Sequence, residues 1–178
     1  MQEFDTKKLY VFFWNFTRKG IEKLCSIDLS SIPKTQKNEL AICPQDEFEF
    51  VEYLVDNDTQ KYKSFDIPKQ AHFSAEKMVE NFVNSSKKQI VLTNYPACIS
   101  SLLGQVACGK IGADDIVLYY RGNGIETKYY TKRDEINNVS KAYFIDESGK
   151  EIGIGDNVVA CVSNNKSYIS YKCGKLIK

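Results

Sequence analysis

A single histidine, His72, stands in a chain of 178 residues. A Cys-His or Ser-His-Asp centre therefore has one available base, and no nucleophile is patterned with it. Six cysteines occur, Cys25, Cys43, Cys98, Cys108, Cys161 and Cys173, but no two are spaced CxxC. With one histidine, that spacing disfavours a structural zinc site. The cysteines form no disulfide framework either, so they read as buried free thiols of a reducing, cytoplasmic compartment. No apolar run approaches the roughly 20 residues of a membrane span, and the polar opening 1–8 does not read as a secretory leader. Charge of one sign is also missing: 24 basic residues face 23 acidic ones, for a net charge of +1. No global field draws the chain to a polyanion, so any such contact must come from a local patch. Phosphate-cradling glycine loops of the Walker or Rossmann kind are absent.

What is present is an ordinary globular composition, 43% hydrophobic, with 11 tyrosines and 10 phenylalanines that favour strands. The pattern predicts a single-domain α/β (α+β) fold: a mixed central sheet flanked by helices, with extra antiparallel strands at the C-terminus. The apolar run 9–16 reads as a buried strand, 20–27 as a short helix, 30–38 as a loop and 39–43 as a strand stopped by Pro44. The acidic segment 46–58 alternates Phe48 and Phe50 with carboxylates and is read as a strand. Ser74 is expected to cap a helix over 74–86, with Met78, Val79, Phe82 and Val83 as its apolar stripe. A strand at 90–93 follows. Pro96 then opens a helix carrying Ile99, Leu102, Leu103 and Val106. Beyond a hairpin at 115–131, residues 132–140 read as one or two helical turns, and strands are expected at 141–146, 157–163 and 168–175. Residues 1–70 are the least patterned, so within the single domain 1–178 a separate N-terminal subdomain over 1–70 stays open beside a nuclease-like core over 90–178.

The hairpin carries the sharpest chemical signal. Asp114-Asp115 precedes an apolar strand, Gly122-Asn123-Gly124 turns the chain, and Glu126-Thr127-Lys128 lies in the returning strand. Glu126 and Lys128 are two residues apart, so they point to one side. With the turn at Gly122-Asn123, Tyr119 faces Glu126 and Val117 faces Lys128, and Asp115 shares their face. Four residues separate Asp115 from Tyr119, about 13 Å, so convergence requires strong twist or a bulge. Tyr129, Tyr130, Lys132 and Arg133 follow directly and are candidates for nucleic-acid contact, through base stacking and phosphate pairing.

This constellation resembles the core of the PD-(D/E)xK nuclease superfamily, which includes lambda-type exonucleases, Holliday-junction resolvases and many restriction endonucleases. The resemblance spans about 15 residues, Asp115 through Lys128, and the succession of helix, hairpin, helix and strand fits it. It implies a metal-dependent nuclease in which Asp115 and Glu126 hold Mg²⁺ (or Mn²⁺) and Lys128 is the catalytic lysine. The cation would activate water and neutralise charge on the transferring phosphoryl group.

A second segment points elsewhere. Residues 152–160 and 174–178 resemble the Gly-Asp and Gly-Lys turns of SH3-like or KOW-type barrels. Five strands from 115 to 177 would suffice for such a barrel. That resemblance implies a non-enzymatic module binding nucleic acid or a protein partner. The bias toward Lys, Asn, Ile and Tyr suggests an AT-rich genome, so a viral or mobile-element accessory protein is the form this alternative takes.

Overall fold

The fold comes from a computed structural model that describes residues 3–56, 66–137, 139–152, 159–163, 168–172 and 175–177, with side chains at 3–56, 70–137 and 139–152. The described residues include three α-helices, α1 (Arg18–Cys25), α2 (Asp66–Asn84) and α3 (Pro96–Ala107), two 3-10 turns and ten strands. The strands are β1 (Leu9–Phe13), β2 (Leu40–Pro44), β3 (Phe48–Tyr53), β4 (Lys88–Thr93), β5 (Ile116–Gly122), β6 (Ile125–Ile136), β7 (Val139–Ile145), β8 (Val159–Ser163), β9 (Tyr168–Lys172) and β10 (Lys175–Ile177). They form one mixed sheet in the order β10-β9-β8-β7-β6-β5-β1-β4-β3-β2. The four strands β5, β1, β4 and β3 run parallel. β2 and the β5-to-β10 meander are antiparallel. The chain is thus mixed α/β.

β1 is central, and all five of its residues are buried. A parallel strand covered on both faces must be apolar throughout, which is why this run reads without alternation. Leu9, Val11 and Phe13 enter the core under α2 and α3, whereas Tyr10 and Phe12 enter the core under α1. The extended run stops at Phe13, not at residue 16, because Trp14 (φ 66°) and Asn15 (φ 61°) are both left-handed. Thr17 then caps α1 by accepting from the Gly20 amide at 3.1 Å. β1 pairs with β4 on one side and β5 on the other, so the first strand of the chain lies between strands from the later part of the sequence.

Two expectations about the helices are corrected. α2 begins at Asp66, so Ser74 is buried mid-helix and caps nothing. Pro68 falls in the first turn of α2, where a missing N–H costs no intrahelical bond. Residues 132–136 are not helical. They extend β6, whose register with β7 runs from Tyr130↔Ile145 to Ile136↔Val139. The SH3/KOW-type barrel is not formed: β5 pairs with β1 and β6, and β10 lies at the far sheet edge, so the two do not close on each other. Its Gly-Asp turn at 153–158 and Gly174 lie outside the described residues.

A buried ion pair fastens the α1 side. Glu52 on β3 is 4% exposed and receives two guanidinium bonds from Arg18, at 3.0 Å from Nε and 2.8 Å from Nη2. The remaining Arg18 donors reach the carbonyls of Ile32 (2.6 Å) and Pro33 (2.9 Å), so the 26–35 loop is held to the sheet by one side chain.

Candidate functional site

The β5–β6 hairpin turns at Asn123-Gly124, with φ of 52° and 76°, the paired positive values of a type I′ turn. Arg121 therefore faces Glu126, Tyr119 faces Lys128, and Val117 faces Tyr130. The register differs by two residues from the expected one. Side-chain parity survives, but the three proposed metal-site residues do not converge. Asp115 lies in a 3-10 turn (Ala113–Asp115) at the start of β5, where its carboxylate accepts from the Gly112 amide at 3.2 Å. Five strand residues separate Ile116 from Arg121, the partner of Glu126, or about 17 Å. Glu126 is ion-paired with Arg121 at 3.1 Å. The Lys128 ammonium is bonded to Glu3 and lies 4.7 Å over the Tyr130 ring. Burial alone would weaken the Lys128 charge, but the bonds to Glu3 and Tyr130 hold its pKa above the ordinary value. Lys128 thus pins the N-terminal turn Glu3–Asp5 to the sheet, and Phe4 packs among Tyr10, Phe12 and Tyr119.

The four residues after the Glu-x-Lys divide by strand parity. Tyr129 is in the core, with Ala142 and Phe144 under α3. Arg133 shares that face and donates to Ala107 O (3.4 Å) and Ser140 Oγ (3.0 Å). Tyr129 is buried under α3, whereas Arg133 is exposed on that face with its guanidinium turned to Ala107, Ser140 and Glu135. Tyr130 and Lys132 point to the opposite face, which Val117 and Tyr119 share.

That opposite face is open along β6 and β7. Lys132 and Asp134 are exposed, as are Ile136 (70%) and Val139 (43%), while Tyr130, Lys141, Tyr143 and Ile145 are half-buried. The register sets Lys132 beside Tyr143 and Tyr130 beside Ile145. Lys141 lies 4.7 Å over the Tyr143 ring, and the Tyr143 hydroxyl donates to Asp134 at 2.6 Å. That bond, followed by burial, raises the Tyr143 pKa, so the phenol stays neutral and its ring remains a flat, uncharged platform. Lys141 and Tyr143 were missed in the sequence. The signal was the alternation Lys141-Ala142-Tyr143-Phe144-Ile145, in which Ala142 and Phe144 are core residues and the other three face outward.

Next to the open face is a cavity of about 380 Å³. It exists because β6 outruns β5: the last β5–β6 pair is Val117↔Tyr130, and residues 131–136 pair with β7 alone. Ile116, Val117, Tyr130 and Ile145 give apolar walls, while Lys8, Lys132, Asp114 and Glu147 supply charge. Lys8 donates to the Asp114 carbonyl at 2.8 Å, and Thr131 Oγ donates to the Ile116 carbonyl at 2.9 Å. Asp146 is occupied locally, since its Oδ1 accepts from Ser148 N and Oγ and from Lys150 N.

At the other end of the sheet, the chain bridges its own crevice. Open α/β sheets bind ligands where neighbouring strands send their connections to opposite faces. Here that point lies between β1, which leads to α1, and β4, which leads to α3. The Trp14 amide bonds the Thr93 carbonyl, and Asn94 both accepts from and donates to the Val55 backbone. Burial pushes the Cys25 and Cys98 thiols up to about 12, so neither is a thiolate near neutral pH. No described helix is long and apolar enough to cross a membrane.

No protein-family profile, curated protein or solved structure matches the chain.

Proposed function

We propose that this protein binds single-stranded nucleic acid across the open face of β6 and β7. The reading assigns no hydrolytic role to Asp115, Glu126 or Lys128. The observation that carries it is the alternation of ammonium groups and aromatic rings on one open sheet face: Tyr130 and Lys132 on β6, and Lys141 and Tyr143 on β7. Rings presented on a sheet accept unstacked bases, and flanking lysines neutralise the backbone. A duplex hides its base faces, so this geometry favours single strands. With a net charge of +1, binding depends on this patch rather than on a long-range field.

The test is equilibrium titration of labelled single-stranded RNA, single-stranded DNA and duplex over a salt series. Lys132 and Lys141 predict a log–log salt slope of about −1.4, at roughly −0.7 per neutralised phosphate on a single strand. Single strands should bind more tightly than duplex, and Tyr130→Ala and Tyr143→Ala should each weaken binding by about 1–3 kcal/mol. Equal affinity for duplex, or unchanged affinity in both tyrosine variants, would overturn the proposal.

A further inference from the structure

The cavity at the head of β5 and the open face share three residues, Tyr130, Lys132 and Ile145. A strand lying on the face therefore runs directly past the cavity mouth. At about 380 Å³ the cavity lies at the small end of the roughly 300–1,000 Å³ range of ligand sites, the scale of one nucleotide rather than two. Ile116, Val117 and Ile145 offer apolar contact to a flat ring.

Its polar groups are more selective. Among the described residues, the carboxylates of Asp114 and Glu147 have no hydrogen-bond or ion-pair partner, although both line the cavity. Ionised carboxylates only accept, and lysine ammoniums only donate. The cavity therefore fits a base that presents donors on one side and acceptors on the other. Guanine does so: N1–H and the N2 amine are adjacent donors suited to a carboxylate, and O6 and N7 are acceptors suited to lysine. Uracil and thymine present carbonyl oxygens to the carboxylates, and adenine has no carbonyl for the lysines.

We infer that the cavity holds one guanine of the bound strand, read by Asp114 or Glu147 on its donor edge and by Lys8 or Lys132 on its acceptors. This inference rests on the open-face reading for the path of the strand. The remaining nucleotides continue over Tyr130 toward Tyr143.

The test uses the full chain and short oligopyrimidine strands containing one central guanosine, inosine, adenosine or uridine. Guanosine 5′-monophosphate is titrated alongside them. Guanosine should bind about 5- to 150-fold more tightly than uridine, the range of one good bidentate base contact. Inosine, which lacks the N2 amine, should fall between them. Asp114→Asn or Glu147→Gln should bring the ratio of guanosine to uridine affinity toward one. Both carboxylates lie at the surface, and melting curves of the variants verify the fold. Tyr143→Ala should weaken every strand alike and leave guanosine monophosphate binding unchanged. Equal affinity for all four strands, with the tyrosine effect intact, overturns the guanine site and leaves the open-face reading standing. Binding of guanosine monophosphate that Glu147→Gln abolishes, with no strand binding, supports the cavity and sinks the open-face reading. Binding of neither overturns both.

Discussion

Replacing Arg18 with methionine removes the partner of a nearly inaccessible carboxylate. The two side chains are 19% and 5% exposed, and the guanidinium also supplies the bonds to Ile32 and Pro33 and lies 5.3 Å from the Phe50 ring. Breaking a buried pair from one side leaves an uncompensated charge and costs about 3–5 kcal/mol. That is a large share of the roughly 5–15 kcal/mol that holds a domain folded. At about 2–4 °C per kcal/mol for a chain of this size, the melting temperature should drop by roughly 6–20 °C. Arg18→Met with Glu52→Leu should recover most of the loss, because both charges are then gone. The two freed carbonyls leave a residue of about 1 kcal/mol each. The pH dependence gives a second check. Burial works against the Glu52 charge, but the Arg18 bonds and charge hold its pKa below the ordinary 4.5. A carboxyl depressed in the folded state adds stability above 4.5 that disappears as pH falls through the folded value. In Arg18→Met burial is opposed only by the Thr35 amide and hydroxyl, Glu52 takes up a proton sooner, and the gap from wild type should narrow on acidification. Urea denaturation of the three proteins across pH measures this. A neutral-pH loss under about 1 kcal/mol, or a gap that stays constant in acid, would refute the reasoning.

Adjacent residues on β6 should separate binding from stability. Lys132→Ala should reduce the single-strand salt slope by about 0.7 with no change in melting, whereas Arg133→Ala should cost about 1 kcal/mol of stability and leave binding untouched. Gly124→Ala meets no steric neighbour, yet its φ of +76° should make it destabilising by about 1 kcal/mol in denaturation, with Asn123→Gly close to neutral. Burial opposes the Glu3 charge too, but the Lys128 bond and the nearby lysines keep its pKa below 4.5. Amide exchange at residues 3–6 should therefore accelerate as pH falls below 4.5, after correction for the intrinsic pH dependence, and Lys128→Ala should produce the same loosening at neutral pH.

The sheet was legible wherever burial wrote a simple pattern. β1 and β4 are apolar on both faces, and the Asn-Gly turn marks its hairpin through the backbone angles it demands. α2 was misplaced because residues 66–73 carry no clean stripe ahead of Met78, and Ser74, a good capping type, is instead a small buried residue. The 132–136 extension was hidden because its side chains are polar where β6 outruns both β5 and the helix cover. The candidate site was half visible. Tyr130 and Lys132 were identified, but counting along the sequence joined them to Tyr129 and Arg133, which strand parity sends to the opposite face. Asp115, Glu126 and Lys128 have a nuclease-like spacing in sequence, but the length of β5 already separates Asp115 from the other two, and the two-residue difference in register widens the gap. The other half of the open face came from Lys141 and Tyr143, whose role depends on β7 pairing with β6 and cannot be read from either strand alone.

Ultraviolet cross-linking of a bound single-stranded oligonucleotide, followed by mass spectrometry of the linked peptides, tests the central claim most directly. The account predicts adducts at Tyr130 and Tyr143, with Tyr129 and the α2 surface unmodified. Adducts confined to α1, α2 or the far edge at β2, with β6 and β7 clean, would contradict it.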